Sequence, residues 1–325
     1  MPVNFIAVVV IGRNEGERLH KCLHSVVGHA GLVVYVDSGS TDGSLEVASR
    51  LNAIMVQLDT AVPFTAARAR NAGFRRVLAL APETAYVQFV DGDCEVRASW
   101  LPLAMSFLEA HPDVAAVSGR RRERFPERSI YNLLCDMDWN GPAGPASSAG
   151  GDVMMRTKSL MAVDGYRDDL IAGEESELCV RLRRQGWRIW RLADEMTLHD
   201  AAILRFGQWW RRSMRTGYAF AEGSHIHGAA PERHWVAESR SAWLWGLVLP
   251  AGLLMATLWS PVAVWGFLLY PAQAVRLWLR KHGSGRARIA HAVFLVLGKF
   301  PETLGQLKFV AHRLRGRRAS LIEYK

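Results

Sequence analysis

Near its start the chain reads Phe5-Ile6-Ala7-Val8-Val9-Val10-Ile11, an unbroken apolar run in which most side chains are β-branched. Because such a run has no polar face, it predicts a strand that is buried on both faces of a parallel sheet. No basic segment precedes it, and Arg13-Asn14-Glu15 follows directly, so the pattern is not that of a signal peptide. We therefore interpret it as the first strand of an α/β domain.

Strand-like runs continue to alternate with helical patterns along the first 120 residues. The strand-like runs are Leu32–Val36, Ala53–Gln57, Tyr86–Val90 and Val114–Gly119, and the helical candidates are Gly43–Leu51, Thr65–Leu80 and Leu101–Ala110. Alternation of this kind predicts βαβ units and a mainly parallel sheet. Ligands of such sheets bind at the carboxyl ends of the strands, so polar residues directly after each strand are the candidates for a site.

The composition excludes several classes of protein. The chain has 325 residues, 50% of them hydrophobic and 22% charged, which is enough to bury a core and is unlike a disordered or collagen-like protein. Its four cysteines form no CxxC pair, so neither a zinc knuckle nor a disulfide framework is indicated. The net charge of +9 favours polyanionic or phosphorylated partners without choosing among them.

Residues 241–275 contain no Asp, Glu, Lys or Arg. This stretch predicts a membrane-associated helical hairpin over about residues 241–279, turning near Ser260-Pro261. Its prolines leave a very apolar, buried helical subdomain as the alternative. We expect an interfacial helix over about residues 287–314, broken at Pro301.

Basic residues flank the apolar stretch on both sides, among them Arg211, Arg212, Arg276 and Arg280. This placement suits a juxtamembrane position better than a nucleic-acid groove, and it predicts that both ends of the hairpin are cytoplasmic. We therefore expect two domains, residues 1–235 with the α/β sheet and residues 236–325 with the apolar helical membrane element.

Asp91 and Asp93 follow a predicted strand and are separated by one glycine. If the chain turns there, both carboxylates face one point, which suits a hard divalent cation with phosphate oxygens, although the same pattern occurs in ordinary polar turns. His199 follows the predicted strand Ile189–Leu192 after a short loop, where it could be a metal ligand or merely structural.

Other polar residues follow the first two strands. Asn14 and Glu15 come after the first strand and Asp37 ends the second, where its carboxylate could accept hydrogen bonds from a nucleobase or ribose. Ser40 or Thr41 is expected to cap the next helix.

Two helix starts carry further candidates. Arg70, beside Asn71, could contact a base or a phosphate, although a helical arginine more often forms a surface ion pair. Glu174, Glu175 and Glu177 open another helix, where they complement its dipole, or where one of them accepts a proton from an attacking hydroxyl.

Seven short motifs occur in an order and at a spacing that resemble the family 2 glycosyltransferases of GT-A fold. In chain order they are Asn14-Glu15, Val36–Asp42, Ala69–Gly73, Asp91–Asp93, Gly150-Gly151, Gly173–Leu178 and His199. The resemblance covers roughly residues 3–220. It implies a Rossmann-like domain and an inverting transferase that uses a nucleotide-diphosphate sugar and Mg²⁺ or Mn²⁺.

The resemblance also implies roles for single residues. The positions expected to bind the nucleotide are Asn14, Glu15, Asp37, Arg70, Asn71 and Asp91, the last of them near the ribose. Asp93 and His199 are expected to hold the metal. The family usually has Glu-Asp as its catalytic pair, whereas this chain has Glu174-Glu175; Glu175 is the expected general base, with Glu174 and Glu177 as competitors. The QxxRW motif of processive members is absent, so a single sugar addition is expected.

The membrane element suggests an acceptor held at the bilayer, such as a polyprenyl-linked glycan, a glycolipid or a surface polysaccharide precursor. We expect the catalytic domain on the cytoplasmic side of the inner membrane and no nucleic-acid partner. The alternatives are a catalytically silent, membrane-attached sugar-nucleotide binder or scaffold and a polyanion-binding protein. A nucleotidyltransferase would need a Gly-rich, Lys-containing phosphate loop near residue 12, which the sequence lacks.

Overall fold

The computed structural model describes residues 6–280 and 285–316. Phe5, where the first predicted strand was placed to begin, lies outside them. The chain divides into two compact units, one of Met1–Phe125 with Asp138–Ala201 and one of Pro126–Met137 with Ala202–Lys325. This division concerns packing, and the functional boundary expected between residues 235 and 236 stays a prediction.

The first unit contains a nine-stranded mixed sheet with the order β3-β2-β1-β4-β8-β6-β9-β5, and β7 pairs with β9. The strands are β1 Ile6–Gly12, β2 Leu32–Asp37, β3 Ile54–Gln57, β4 Tyr86–Asp91, β5 Cys94–Val96, β6 Val114–Glu123, β7 Gly144–Ala146, β8 Val153–Arg156 and β9 Arg188–His199. Strands β3, β2, β1 and β4 are parallel, as the alternating pattern predicted. The fold is α/β.

Helices cover both faces of this sheet. They are α1 Glu17–Val26, α2 Ser44–Arg50, α3 Ala66–Leu80, α4 Trp100–Ala110, α6 Thr157–Ala162 and α7 Glu174–Arg184. Alternate residues of β1 enter two separate cores: Val8 and Val10 pack with α1 and α4, whereas Ala7 and Val9 pack with α3 and α7. This two-sided burial is why the first strand has no polar face.

The structure differs from the sequence expectations at three places in this unit. The strand predicted at Ile189–Leu192 continues without a loop to His199, because it pairs with β6 and then with β5. The segment Asn140–Gly151, whose Gly, Pro, Ala and Ser content predicts a loop, includes the short strand β7. Neither Ser40 nor Thr41 caps α2, which begins after Gly43.

The second unit is helical. Its helices are α5 Ile130–Asp138, α8 Phe206–His227, α9 Val236–Trp243, α10 Leu249–Trp259, α11 Leu269–Arg280, α12 Gly285–Leu297 and α13 Lys299–Leu314, with a π-helical turn at Leu244–Val248 and a 3₁₀ segment at Pro261–Leu268. Helices α8 and α13 cross at two glycines, because a Cβ on Gly217 would lie 1.9 Å from the Glu302 carbonyl oxygen and one on Gly305 would lie 1.9 Å from that of Met214.

Two continuous apolar helical segments, Val236–Trp259 and Pro261–Arg280, are long enough to cross a membrane. The chain breaks between them at Ser260, where the turn was predicted. Leu258 is 76% and Trp259 87% exposed, which in water would be unfavourable for large apolar side chains. The break expected at Pro301 comes instead at Gly298, because Pro301 lies in the first turn of α13, where no backbone N–H is needed.

Gly73 on α3 is expected to control how closely that helix packs on the sheet. A Cβ there would lie 2.3 Å from Val9 Cγ1 and 2.9 Å from Val36 Cγ2, so Gly73→Ala should lower the free energy of unfolding by about 1–3 kcal/mol. Urea unfolding of the detergent-solubilised chain measures this. Gly207→Ala, whose Cβ would meet nothing within 4 Å, is the control; equal urea midpoints for the two variants would contradict the packing argument.

Candidate active site

Arg70 is the centre of the polar cluster at the carboxyl edge of the sheet. Thr65 caps α3 by accepting a hydrogen bond from the Arg68 N–H, and this places Arg70 one turn into the helix with 2% of its surface exposed. Its Nη1 donates to Glu174 Oε1 at 2.7 Å and lies 3.4 Å from Glu175 Oε1. Its Nη2 donates to Asp91 Oδ1 at 2.8 Å. One buried guanidinium therefore joins α3, the end of β4 and the start of α7.

A second arginine, Arg121 on β6, approaches the same aspartate. Its Nη2 lies 3.2 Å from Asp91 Oδ2 and 3.0 Å from Asp152 Oδ2. Asp152 is fully buried; it also accepts hydrogen bonds from the Asp91 N–H and the Thr197 hydroxyl. Burial disfavours an ionised Asp91, but Arg70 and Arg121 outweigh it and hold the pKa of the Asp91 carboxyl below its usual value.

Gly151, in the loop before β8, packs directly against the Arg70–Asp91 ion pair. A Cβ at this position would lie 2.5 Å from Arg70 Nη2 and 2.8 Å from Asp91 Oδ2. The backbone thus passes directly over the Arg70–Asp91 ion pair, and only glycine leaves room for it.

Asp37 and Asn14 organise the loops after β2 and β1. Asp37 Oδ2 accepts from the N–H groups of Gly39 and Ser40, and its Oδ1 accepts from the Tyr35 hydroxyl. Asn14, at a positive φ of 56°, accepts from the Thr41 N–H and donates its own backbone N–H to the Ser40 hydroxyl. These contacts fix the two loops side by side. They do not involve a nucleotide, and a contact of Asp37 or Asn14 with one stays a prediction.

Glu15 and Asn71 are also engaged within the fold. Glu15 Oε2 lies 2.7 Å from Arg18 Nη2, one turn further along the chain. The Asn71 side-chain amide donates to the Tyr166 carbonyl and to Asp168 Oδ1 and accepts from the Tyr166 N–H. Both N–H groups of that amide are therefore used to hold the segment before α7, which sequence reasoning had not anticipated.

Asp93 and His199 meet where β5 pairs with the end of β9. Asp93 Oδ2 lies 3.2 Å from His199 Nε2, and both side chains are buried. Glu123 Oε2 lies 3.6 Å from the other ring nitrogen, Nδ1, and the Trp139 ring packs edge-on against the imidazole at 4.7 Å. The carboxylate and the imidazole thus face each other with the ring orientation set by its neighbours.

The donor set fits a divalent cation such as Mg²⁺ or Mn²⁺. The ligand atoms of Asp93, Cys94 and His199 lie within 4.8 Å of one another. Mn²⁺ prefers a carboxylate oxygen and an imidazole nitrogen, as in Asp93 and His199, over a thiol sulfur. Burial, helped by the Asp152 carboxylate, raises the pKa of the Cys94 thiol well above its usual range. Asp93 and His199 are the residues of this set that fit the ion.

The three glutamates at the start of α7 have different surroundings. Glu174 is buried and bonded to Arg70, and Glu177 is buried and paired with Arg181 at 2.8 Å. The Glu175 side chain keeps 19% of its surface exposed. Burial, and then the Glu174 carboxylate beside it, raise the pKa of Glu175 to about 7, against the opposing effect of Arg70. Glu175 is thus the most accessible of the three side chains, and its pKa is close to neutrality.

Sequence reasoning missed Arg121, Asp152 and Glu123. Arg121 lies within the basic run Arg120–Arg124, which reads as a solvated charged strand, and only its pairing across the sheet shows that it faces Asp91. The one available signal for Asp152 was its place directly after Gly150-Gly151.

Two curated proteins are similar to this chain in sequence. Glycosyltransferase AglE of Haloferax volcanii is 24% identical over 226 residues, covering 66% of this chain and 72% of AglE. Succinoglycan biosynthesis protein ExoA of Rhizobium meliloti is 29% identical over 170 residues, covering 49% of this chain and half of ExoA.

Solved structures support the fold. The mannosyltransferase PcManGT from Pyrobaculum calidifontis, in complex with GDP-Man and Mn²⁺, has a TM-score of 0.56 at 20% identity over 97% of this chain and 88% of that one. S. aureus TarS 1–349 has a TM-score of 0.50 at 17% identity over 92% and 91% of the two chains. The sheet therefore has the GT-A fold. Residues 7–143 match the family model Glycosyl transferase family 2.

Proposed function

We propose that this glycosyltransferase transfers one sugar, with inversion, from a nucleotide-diphosphate sugar to an acceptor held at the membrane. The observation that carries the proposal is the position of Glu175, a partly exposed carboxyl with a pKa of about 7 beside the Arg70 cluster. A general base works best when its pKa is close to the working pH, because it is then both ionised and basic enough to accept a proton.

In this mechanism Glu175 Oε takes the proton from the acceptor hydroxyl. The hydroxyl oxygen attacks the anomeric carbon from the face opposite the diphosphate, and the bond from that carbon to the diphosphate oxygen breaks with its electron pair on the diphosphate. One displacement inverts the anomeric carbon. Arg70 keeps Glu175 in place, and its buried pair with Glu174 leaves Glu175 as the carboxylate available for the proton.

Asp93 and His199 are the residues proposed to hold Mg²⁺ or Mn²⁺. When bound, the ion supplies positive charge that stabilises the departing diphosphate. Support comes from the donor set and from the Mn²⁺ and GDP-Man present in the PcManGT complex. Asn14, Glu15, Asp37, Arg70, Asn71 and Asp91 remain the proposed nucleotide-side residues, several of them by shaping the loops rather than by direct contact.

The acceptor is proposed to be lipid-linked or a surface polysaccharide precursor. The two apolar segments Val236–Trp259 and Pro261–Arg280 support a membrane location, and Arg240 and Arg280 lie near their outer ends. An excess of basic residues at both ends of a hairpin is typical of cytoplasmic loops. We therefore propose that the catalytic domain lies on the cytoplasmic side of the inner membrane.

The pH dependence of transfer tests the general base. Since Glu175 must be ionised to accept a proton, kcat/KM should rise with pH and level off above an apparent pKa of about 7. Glu175→Gln should lower kcat by about 10²- to 10⁴-fold with donor binding retained. The measurement is nucleotide release from a panel of UDP-, GDP- and TDP-sugars with an extracted lipid acceptor.

Glu177→Gln is the matched control for this experiment. It removes a carboxylate of the same helix turn and should lower stability through loss of the Arg181 pair, with the rate per folded enzyme preserved. A rate loss in Glu177→Gln but not in Glu175→Gln would make the base assignment wrong. Donor binding without transfer to any acceptor by the unmodified chain would favour the silent-binder alternative.

Loss of the Asp93 carboxylate should weaken metal-dependent nucleotide binding. Asp93→Asn removes a charged oxygen ligand, so Mn²⁺ affinity in the presence of UDP or GDP should fall at least about tenfold. Calorimetry with and without EDTA measures it. Asp113→Asn, which removes an exposed aspartate paired with Arg188, is the control and should leave Mn²⁺ binding unchanged; equal losses in both variants would exclude a specific role for Asp93.

Removal of Arg70 should destabilise the first unit strongly. Arg70→Met leaves the buried Glu174 and the Asp91 carboxylates without their shared cation, a change that costs about 3–5 kcal/mol. The deficit should shrink as pH falls, because protonation of the unpaired carboxyls removes their buried charge. Thermal unfolding between pH 4.5 and 8 measures it.

Arg68→Met, two residues earlier on α3, is the control for this variant. Arg68 donates only to exposed backbone carbonyls, of Val62 and Asp59, so its loss should change the melting temperature little. Similar, pH-independent losses in both variants would show that Arg70 does not carry the cluster.

A further inference from the structure

A groove of about 790 Å³ with an apolar lining lies between α11 and α12 in the second unit. Pro250, Phe267 and Phe300 contribute to one end, and Trp278 and Ile289 to the other. The groove lies beside the segment Pro261–Arg280, which is apolar and long enough to span a membrane. In a bilayer it would therefore face hydrocarbon rather than water.

The first end of the groove is closed by aromatic side chains. Tyr270 stacks on Phe300 with ring centroids 5.8 Å apart, and its hydroxyl donates to the Trp245 carbonyl at 2.7 Å. This hydrogen bond satisfies the polar atom of Tyr270, so the end wall offers a ligand no unsatisfied group. A hydrocarbon chain end fits such a wall.

The other end of the groove is cationic. The Arg288 guanidinium lies over the Trp278 ring, 5.8 Å from its centroid. Arg280 ends α11 and Arg286 lies in the first turn of α12, so both approach this end of the helix pair. Arg288 therefore lies beside the Trp278 end of the groove, and Arg280 and Arg286 occupy the adjoining ends of α11 and α12, an arrangement that is complementary to an amphiphile with an anionic head.

The length of the groove suits one leaflet of a bilayer. Tyr270 and Trp278 are eight residues apart on α11, which corresponds to about 12 Å along the helix. The hydrocarbon of one leaflet is about 15 Å thick. With the arginines at the level of the lipid phosphates, the aromatic end of the groove lies close to the bilayer midplane.

We propose that this groove binds one hydrocarbon chain of an anionic phospholipid of the bilayer, whose phosphate is bound by Arg288 with Arg280 and Arg286. The charge at one end favours this occupant over an apolar helix of a second copy, which would not use the arginines. The fit to a single leaflet favours it over a much longer polyprenyl chain. The site is separate from the chemistry of sugar transfer, but it rests on the membrane location given under the proposed function.

Native mass spectrometry of the full chain, titrated with dioleoyl phosphatidylglycerol or dioleoyl phosphatidylcholine, tests the proposal. Phosphatidylglycerol should bind more tightly, and Arg288→Gln should weaken it about fivefold and weaken phosphatidylcholine less, because choline offsets the phosphate charge of the latter. Arg276→Gln removes an equal charge from α11 next to Gln273, outside the groove lining, and should leave both affinities unchanged.

Ala274→Phe provides a second variant that keeps every charge and fills the groove, so it should weaken binding of both lipids. Helical circular dichroism and retained nucleotide binding show that each variant is folded. Equal affinities for the two lipids, or no effect of Arg288→Gln, would overturn the proposal. So would displacement of phosphatidylglycerol by undecaprenyl phosphate at lower concentration, or a dimer that Ala274→Phe abolishes.

Discussion

The buried guanidinium of Arg70 is the constraint on which the site depends. A charge taken out of water is costly unless its hydrogen bonds and counter-charges are supplied with good geometry, and Arg70 obtains them from Glu174, Glu175 and Asp91. These partners come from two elements far apart in sequence, so α3, the end of β4 and the start of α7 must meet at one point. The same constraint explains Gly151, since the backbone there passes over the ion pair without room for a side chain.

Unequal sharing of this cation gives neighbouring carboxylates different chemistry. Asp91 faces two arginines, so its carboxyl stays ionised despite burial, and Glu174 has the shortest contact with Arg70. Glu175 is farther from the guanidinium, at 3.4 Å; burial, and then the neighbouring Glu174 carboxylate, raise its pKa. Two adjacent residues of one helix turn therefore differ, since Glu174 is buried against Arg70 and Glu175 keeps part of its side chain exposed. Family 2 glycosyltransferases usually have aspartate where this chain has Glu175. The Glu175 side chain is one methylene longer, and its carboxylate lies 3.4 Å from Arg70.

Local pattern was sufficient for much of the fold but for little of the network. The apolar run through Val8 predicted a strand buried on both faces, and the strand end placed Asp91 and Asp93 at the carboxyl edge, because both follow from short-range periodicity. The pairings of Arg121 with Asp152, and of Glu123 with His199, join residues 31 and 76 positions apart, which no local pattern encodes. Ser40 is a case where the local pattern was wrong. Its side chain suits a helix cap, but its hydroxyl instead accepts a hydrogen bond from the Asn14 N–H in the neighbouring loop.

The second unit follows a different rule, because its apolar side chains face outward. Leu258, Trp259 and their neighbours are mostly exposed, whereas several of the closest contacts inside the unit are made by small residues and backbone. A Cβ on Gly246 would lie 2.2 Å from the Lys299 carbonyl oxygen, and the Thr303 hydroxyl donates to the Ala242 carbonyl. These close contacts connect the first apolar segment to α13, which is itself locked to α8 through Gly217 and Gly305. The two apolar segments are therefore held in a fixed orientation by glycine contacts within their own unit.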